Sequence, residues 1–161
     1  MDDLDRAGAL LAGASTMLVT CHLGPDGDAV GSLCAVAALV RARGKAATLY
    51  CPDPIPRNLR FVPGAADMVR RIGRDARFDL TVVVDCGDLQ LLGKSFPPRT
   101  VTGSLLVIDH HATATPFGDV TICDPAAPAT AVVVARLARR LGWELGPLAA
   151  VGIFTALVAD T

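Results

Sequence analysis

The sequence predicts an α/β domain: a mainly parallel sheet with helices on both faces. Three observations carry this. Short apolar runs at 16–21, 80–85 and 104–109, rich in Val, Leu, Ile and Thr, have the length and composition of strands buried on both sides. They alternate with longer Ala-rich stretches of helical length, the β-α-β pattern of a parallel sheet. A hydrophobic content of 52% with only 4% aromatic residues makes a core of Ala, Val and Leu, suited to close helix-on-sheet packing.

Taken in order, 4–14 reads as a helix and 16–21 as the first strand. Gly24-Pro25-Asp26-Gly27 forms a turn. An Ala-rich helix follows over 28–43, with Asp28 as its N-cap, and 46–51 is the second strand. Pro52, Pro54, Pro56 and Pro63 keep 52–64 irregular, and 65–72 reads as helical. The third and fourth strands are 80–85 and 104–109, with a short fifth at 120–123. Two helices, 130–141 and 147–159, close the chain.

The chain is 161 residues long, enough for one domain with a real core. Fifteen Lys and Arg against sixteen Asp and Glu leave a formal charge of -1, so no global basic field marks a long nucleic-acid partner. A short anionic substrate in a local pocket stays open. Five cysteines without a C-x-x-C pair read as small buried hydrophobes of a reducing compartment. Asp2, Asp3 and Asp5 stand where a signal peptide carries basic residues, and the longest apolar stretch, 148–159, is too short to span a bilayer. The expectation is a cytoplasmic protein without a membrane partner.

All three histidines lie within four residues of an aspartate, just beyond an apolar run. His22 precedes Asp26 and Asp28; His110 and His111 follow Asp109; the remaining long run ends in Asp85, with Asp88 beyond. The crevice outside the carboxyl ends of parallel strands is where α/β proteins build sites. In His22-x-x-x-Asp26-x-Asp28, the turn aims His22 and Asp26 at one point and Asp28 at a neighbouring one. The helix opening at Asp28 offers amide N–H groups to a phosphate, with Gly31 allowing close approach and the Ser32 hydroxyl as a further donor. A dinucleotide loop is disfavoured, because G-x-x-G-x-x-x-G is not its fingerprint and two carboxylates occupy the pyrophosphate position. Successive side chains on an extended backbone point opposite ways, so His110 and His111 take different roles, one on metal and one facing substrate. Asp109 serves as an acceptor that orients an imidazole, and Asp88 reads as a capping or loop residue.

Charge favours a metal site. Two carboxylates about 4 Å apart repel by roughly 4 kcal/mol at an effective dielectric near 20, and converging Asp26, Asp28, Asp85 and Asp160 would multiply that. Two divalent cations balance four carboxylates. Carboxylate and imidazole donors without thiolate suit manganese or magnesium, and two such ions clamp a phosphoryl group.

The segments 22–32 (His-Leu-Gly-Pro-Asp-Gly-Asp-Ala-Val-Gly-Ser), 83–88 (Val-Val-Asp-Cys-Gly-Asp) and Asp109-His110-His111 resemble successive motifs of the DHH phosphoesterases, and Ala159-Asp160-Thr161 resembles the start of a fourth. The wording of 25–29, 54–64 and 117–119 is similar to the branch of nanoRNases and pAp phosphatases, which includes cyclic-di-AMP phosphodiesterases. The resemblance implies a Rossmann-like domain and a hydrolase of short oligoribonucleotides, pApA or pAp that uses two divalent ions, manganese before magnesium. It implies one ion on His22, Asp26 and Asp85, a second on Asp28, Asp85, His110 and Asp160 with Asp85 bridging, and His111 on the scissile phosphate. Ala114, where an asparagine is common, and Val132, where an acidic residue is expected, bear on substrate preference. The alternatives are a manganese-dependent inorganic pyrophosphatase and a nucleotide-binding fragment with impaired catalysis. The family normally adds a second, substrate-binding domain. The expectation is therefore that 1–161 is the catalytic domain, cut within its fourth motif, with poor turnover by itself. A homodimer of a full-length protein is compatible with the resemblance.

Overall fold

A computed structural model describes residues 1–161. Ten regular elements follow one another: α1 (Asp3–Gly13), β1 (Thr16–Cys21), α2 (Gly27–Arg41), β2 (Ala46–Tyr50), β3 (Leu80–Val84), α3 (Arg99–Thr102), β4 (Ser104–Asp109), β5 (Val120–Cys123), α4 (Thr130–Arg140) and α5 (Pro147–Asp160). The strands form one sheet in the order β2-β1-β3-β4-β5, and every adjacent pair is parallel. From β1 the chain winds outward to β2 and then returns to the other side for β3. The winding therefore reverses between β1 and β3, whose carboxyl ends open a crevice at the switch point.

The helices fall on both faces, but unequally. On one face α1, α2 and α4 cover Val19, Val82 and Ile108, contributing Leu11, Leu33, Val40 and Leu137 to the main core. Full burial of each such side chain contributes about 1.5–3 kcal/mol. The opposite face has a smaller cover: Val83 and Val107 pack with Cys86 and Leu92, flanked by Phe96 and Phe117. Thr81 on that face donates to the Thr102 carbonyl at 2.8 Å, which docks the short α3. Outside α2 and α4, α5 forms a further layer. No helix is long and apolar enough to cross a membrane.

The strands at 16–21, 104–109 and 120–123 have the bounds their apolar runs predict. The second and third end one residue early, at Tyr50 and Val84, which releases Asp85 from the sheet. The N-cap of α2 is Asp26 rather than Asp28: Asp26 Oδ1 accepts from Ala29 N at 2.9 Å. Asp28 lies inside the first turn, where its side chain turns to the interior. The expected helix over 65–72 is a 3-10 turn at Ala65–Asp67 followed by extended chain. Val69 pairs with Tyr50 there, accepting from Cys51 N at 3.2 Å and donating to Leu49 O at 2.8 Å. The open edge of β2 supplies backbone partners, and that long-range pairing outweighs a weak local helix preference. On the opposite edge of the domain, Asp79 accepts from Ser15 N at 2.8 Å and Thr16 N at 3.0 Å. Those amides hold its carboxyl below the usual range.

Candidate metal centre

His22 leaves β1 at the switch point. Its Nδ1 lies 2.6 Å from the Leu23 carbonyl, which makes Nδ1 the donor and turns Nε2 toward the crevice. Nε2 there lies 3.5 Å from Asp85 Oδ2 and 3.7 Å from Asp26 Oδ1. Asp85 follows β3 in the left-handed region, at φ 55°, the one non-glycine residue with positive φ. Asp tolerates that conformation better than most residues but still at some cost, a pattern that concentrates at sites. The turn holds its carboxylate, only 3% exposed, between two groups of donors. While Oδ2 faces His22, Oδ1 lies 3.7 Å from His110 Nε2.

The second group gathers residues from three elements. His110 Nδ1 bonds to the Ala127 carbonyl at 3.1 Å, and Nε2 then faces Asp160 Oδ2 at 3.2 Å and Asp28 Oδ2 at 3.3 Å. This Nε2 is buried without a hydrogen-bond partner. With the proton on Nδ1, its lone pair points at carboxylate oxygens, an arrangement that needs a cation between them. Asp28 is fully buried, and its oxygens accept from Thr130 N (2.8 Å), Ser32 Oγ (2.9 Å) and Ala131 N (3.3 Å). Asp160 arrives on the last turn of α5.

His111 points elsewhere. Its Nδ1 donates to Asp109 Oδ1 at 2.7 Å, and the half-exposed ring lines an open cleft of about 510 Å³ beside His22, Asp85 and Gln90. The fully buried Asp109 therefore fixes the His111 tautomer and leaves Nε2 for the cleft.

The electrostatics show a site short of positive charge. The facing carboxylates of Asp26 and then Asp85 push the His22 pKa up to about 11 against its burial. Burial, and next the charge of Asp85, raises Asp28 to about 7, although the Thr130 amide and the Ser32 hydroxyl pull it down. Burial opposes the charged form of His111, but the Asp109 hydrogen bond and the nearby carboxylates win, and its pKa rises.

The residues present fit metal ions. Donor atoms converge in three groups: His22, Asp26 and Asp85; Asp28, His110 and Asp160; and Asp85, His110 and His111. Neighbouring donors around His22 and His110 lie 3.2–3.7 Å apart, which matches the spacing of ligands around one ion with bonds of about 2.0–2.2 Å; the His111 Nδ1 is held by Asp109 and stands outside this set. The set is oxygen and imidazole nitrogen; no thiol joins it, and Cys51 Sγ turns to the His22 carbonyl.

Two expected phosphate contacts are placed differently. Gly31 and Ser32 are buried in α2, away from the cleft. Gly31 lies against Gly152 of α5, where close approach serves helix packing, and the Ser32 hydroxyl is engaged by Asp28. Asp88 caps the turn at Leu89–Leu92 through Gln90 N at 2.8 Å, as a loop residue would.

Thr130 is a residue that sequence reasoning missed. Besides its amide on Asp28, its hydroxyl donates to Asp85 Oδ1 at 2.9 Å, so one buried residue orients carboxylates of both groups. Nothing in the local sequence marks it, because its partners lie 102 and 45 residues away. Thr130→Val keeps the shape and removes the hydroxyl. It is expected to weaken manganese binding about 10- to 100-fold, as loss of a ligand-orienting contact does, with Thr130→Ser restoring most of it. Unchanged affinity in calorimetric titration of Thr130→Val would confine the contribution of Thr130 to its amide contact with Asp28.

The model of the DHH family, N-terminal domain, matches residues 16–156. The bifunctional oligoribonuclease and PAP phosphatase NrnA of Thermus thermophilus is 33% identical over 162 residues, covering 96% of this chain and 46% of that protein. The chain spans about half the length of the curated relatives it matches. Among solved structures, an exopolyphosphatase-related protein from Bacteroides fragilis superposes with a TM-score of 0.91 at 24% identity, over 99% of this chain and 50% of that one. A putative family II inorganic pyrophosphatase of Methanococcus jannaschii gives 0.63 at 22% identity, over 90% and 48%. At those identities the two structures speak for the fold.

Proposed function

Because the chain belongs to the DHH family, we propose that residues 1–161 are the catalytic domain of a metal-dependent phosphoesterase that hydrolyses short oligoribonucleotides, pApA or pAp. The observation that carries this reading is Asp85, whose two oxygens face two separate donor groups. His22, Asp26 and Asp85 would hold one divalent ion, and Asp28, Asp85, His110 and Asp160 the other, with manganese favoured over magnesium by the two imidazoles. Bound there, the ions would neutralise the carboxylates, polarise a phosphoryl oxygen and lower the pKa of a water.

The rest is done by the chain's own residues. Asp109 holds His111 by Nδ1, and the raised pKa favours the imidazolium. Its Nε2–H faces the cleft, where it could donate to a phosphate oxygen or to the departing ribose oxygen. Thr130 and Ser32 keep Asp28 and Asp85 in place before substrate arrives, so little reorganisation is needed at the moment of reaction. The 33% identity to an oligoribonuclease and PAP phosphatase supports a nucleotide substrate; the pyrophosphatase shares only the fold.

A panel of pApA, pAp, cyclic-di-AMP and pyrophosphate with manganese tests the reading. Manganese-dependent release of AMP from pApA or pAp, with pyrophosphate untouched, is the expected result. Faster hydrolysis of pyrophosphate than of either nucleotide would overturn it.

A further inference from the structure

The positive charge of this chain is unevenly distributed. Arg6, Arg41, Arg99, Arg136 and Arg140 are each paired with a carboxylate. The segment 57–77 carries six arginines, Arg57, Arg60, Arg70, Arg71, Arg74 and Arg77, and none forms a salt bridge. Nearby acids are engaged or peripheral: Asp67 pairs with Arg41, Asp53 accepts from Gly24 N, and Asp75 is exposed beside Arg74.

Two of these arginines share a hollow. Arg70 and Arg71 line an open depression of about 620 Å³ with Pro52, Val69 and Ser95. The Arg70 Nε donates to the Pro52 carbonyl at 3.0 Å, which anchors the guanidinium and leaves its terminal nitrogens free. Arg71 makes no side-chain hydrogen bond and is exposed.

The hollow sits at the same end of the sheet as the metal centre. Val69 pairs with Tyr50 at the end of β2, so Arg70 and Arg71 emerge just beyond that strand's carboxyl end. The segment 89–95 separates hollow from cleft: Gln90 and Leu91 line the cleft, while Ser95, hydrogen-bonded to Tyr50 Oη at 3.1 Å, lines the hollow. On this divide two apolar side chains are open to solvent, Leu91 at 51% and Leu23 at 39% exposure, with Leu23 N donating to Leu91 O at 2.8 Å. Acidic cleft, apolar step and paired guanidiniums thus follow one another across the carboxyl end of the sheet.

We propose that Arg70 and Arg71 bind a phosphodiester of a single-stranded RNA whose reacting phosphate lies in the metal cleft, with Leu23 and Leu91 as the surface on which the intervening base rests. The inference rests on the phosphoesterase reading and adds to it a specificity element that senses chain length. Guanidinium forks match phosphate oxygens in pairs, and a base presents an apolar face to such a step. A nucleoside monophosphate such as 3'-AMP has no second phosphate to send to the hollow, whereas pAp still carries its 5'-phosphate one nucleoside away.

The test compares pApApApA with 3'-AMP under manganese, in wild type and in Arg70→Gln/Arg71→Gln. The double variant is expected to raise KM for pApApApA about tenfold, with kcat within twofold and 3'-AMP kinetics unchanged. Its kcat/KM should also show a log–log salt slope shallower by about 0.7, the value for one lost phosphate contact on a single strand. Arg74→Gln/Arg77→Gln removes the same charge outside the hollow and is expected to match wild type. Equal KM in wild type and the Arg70/Arg71 variant, or an equal effect of the Arg74/Arg77 variant, overturns the proposal. If wild type cleaves neither substrate, the phosphoesterase reading falls instead. The arginines are then judged by anisotropy of fluorescein-labelled tetra-adenylate with calcium, where tenfold weaker binding by the Arg70/Arg71 variant supports them and equal binding refutes them.

Discussion

Asparagine in place of Asp85 is expected to leave the chain folded and to abolish the proposed binding of two ions. Asp85 is the carboxylate common to both donor groups, with Oδ2 toward His22 and Oδ1 toward His110. The amide side chain keeps one oxygen to accept from Thr130 but loses the charge and one ligand atom. Asparagine also tolerates the left-handed backbone at φ 55°, which alanine would adopt only with strain of about 1–2 kcal/mol. Loss of roughly 4 kcal/mol of transition-state stabilisation corresponds to about a thousandfold in rate. The expected result is that hydrolysis of pApA falls by about that factor and calorimetry finds one weakly held manganese or none. Stability without metal should stay equal or rise, because Asp28 no longer faces the Asp85 charge that helps push its pKa to about 7. Two tightly bound ions in the variant would remove Asp85 from the bridging position.

The second large effect is expected far from any ligand atom. A Cβ placed on Gly31 would fall inside contact distance of the Gly152 carbonyl oxygen and 3.0 Å from Ala156 N, both backbone atoms that cannot rotate away. One turn earlier, a Cβ on Gly27 would collide with the Ala159 side chain. These small residues let α2 and α5 meet almost backbone to backbone, and the contact delivers Asp160 to His110. Gly31→Ala gains about 1 kcal/mol of helix propensity, but overpacking costs typically 1–3 kcal/mol and more where backbone must move. We expect a net destabilisation of about 1–3 kcal/mol, a fall in Tm of roughly 2–12 °C for a domain of this size. The displaced α5 should weaken the ion held with Asp160 and spare the one at His22. Gly13→Ala, with nothing within 4 Å of its added Cβ, is the control and should not lower Tm. An unchanged Tm in Gly31→Ala, with both ions bound as before, would show that α5 does not set the position of Asp160.

How much of this could be read along the chain depends on the range of the forces involved. The runs 16–21 and 104–109 became strands with the bounds their composition implies, because an apolar segment buried on both faces has few other stable states; 120–123 did so as an edge strand with one buried face. The stretch 65–72 went the other way: an unpaired edge of β2 captured Val69, and no local pattern records an edge. The same division runs through the site. His22, Asp26, Asp85, Asp109, His110 and His111 stand within a few residues of strand ends, so strand prediction alone sends them to one crevice. Gly31 and Ser32 are in the same stretch, yet face α5 and Asp28, since which way a helix residue points depends on what packs against the helix.

By itself, then, the sequence determined a parallel α/β sheet and the kinds of donor gathered at its carboxyl end, carboxylates and imidazoles without thiolate; the strand order and its switch point came from the structure. Only the tertiary structure decided how those donors divide. It set the two oxygens of Asp85 toward different histidines, brought Thr130 onto Asp28 and Asp85 from 102 and 45 residues away, and carried Asp160 in on α5. The physical reason is that apolar runs are selected by burial, which acts residue by residue along the chain. The direction of a carboxylate is selected by hydrogen bonds and steric contacts between segments that meet only once the sheet and its helices have packed.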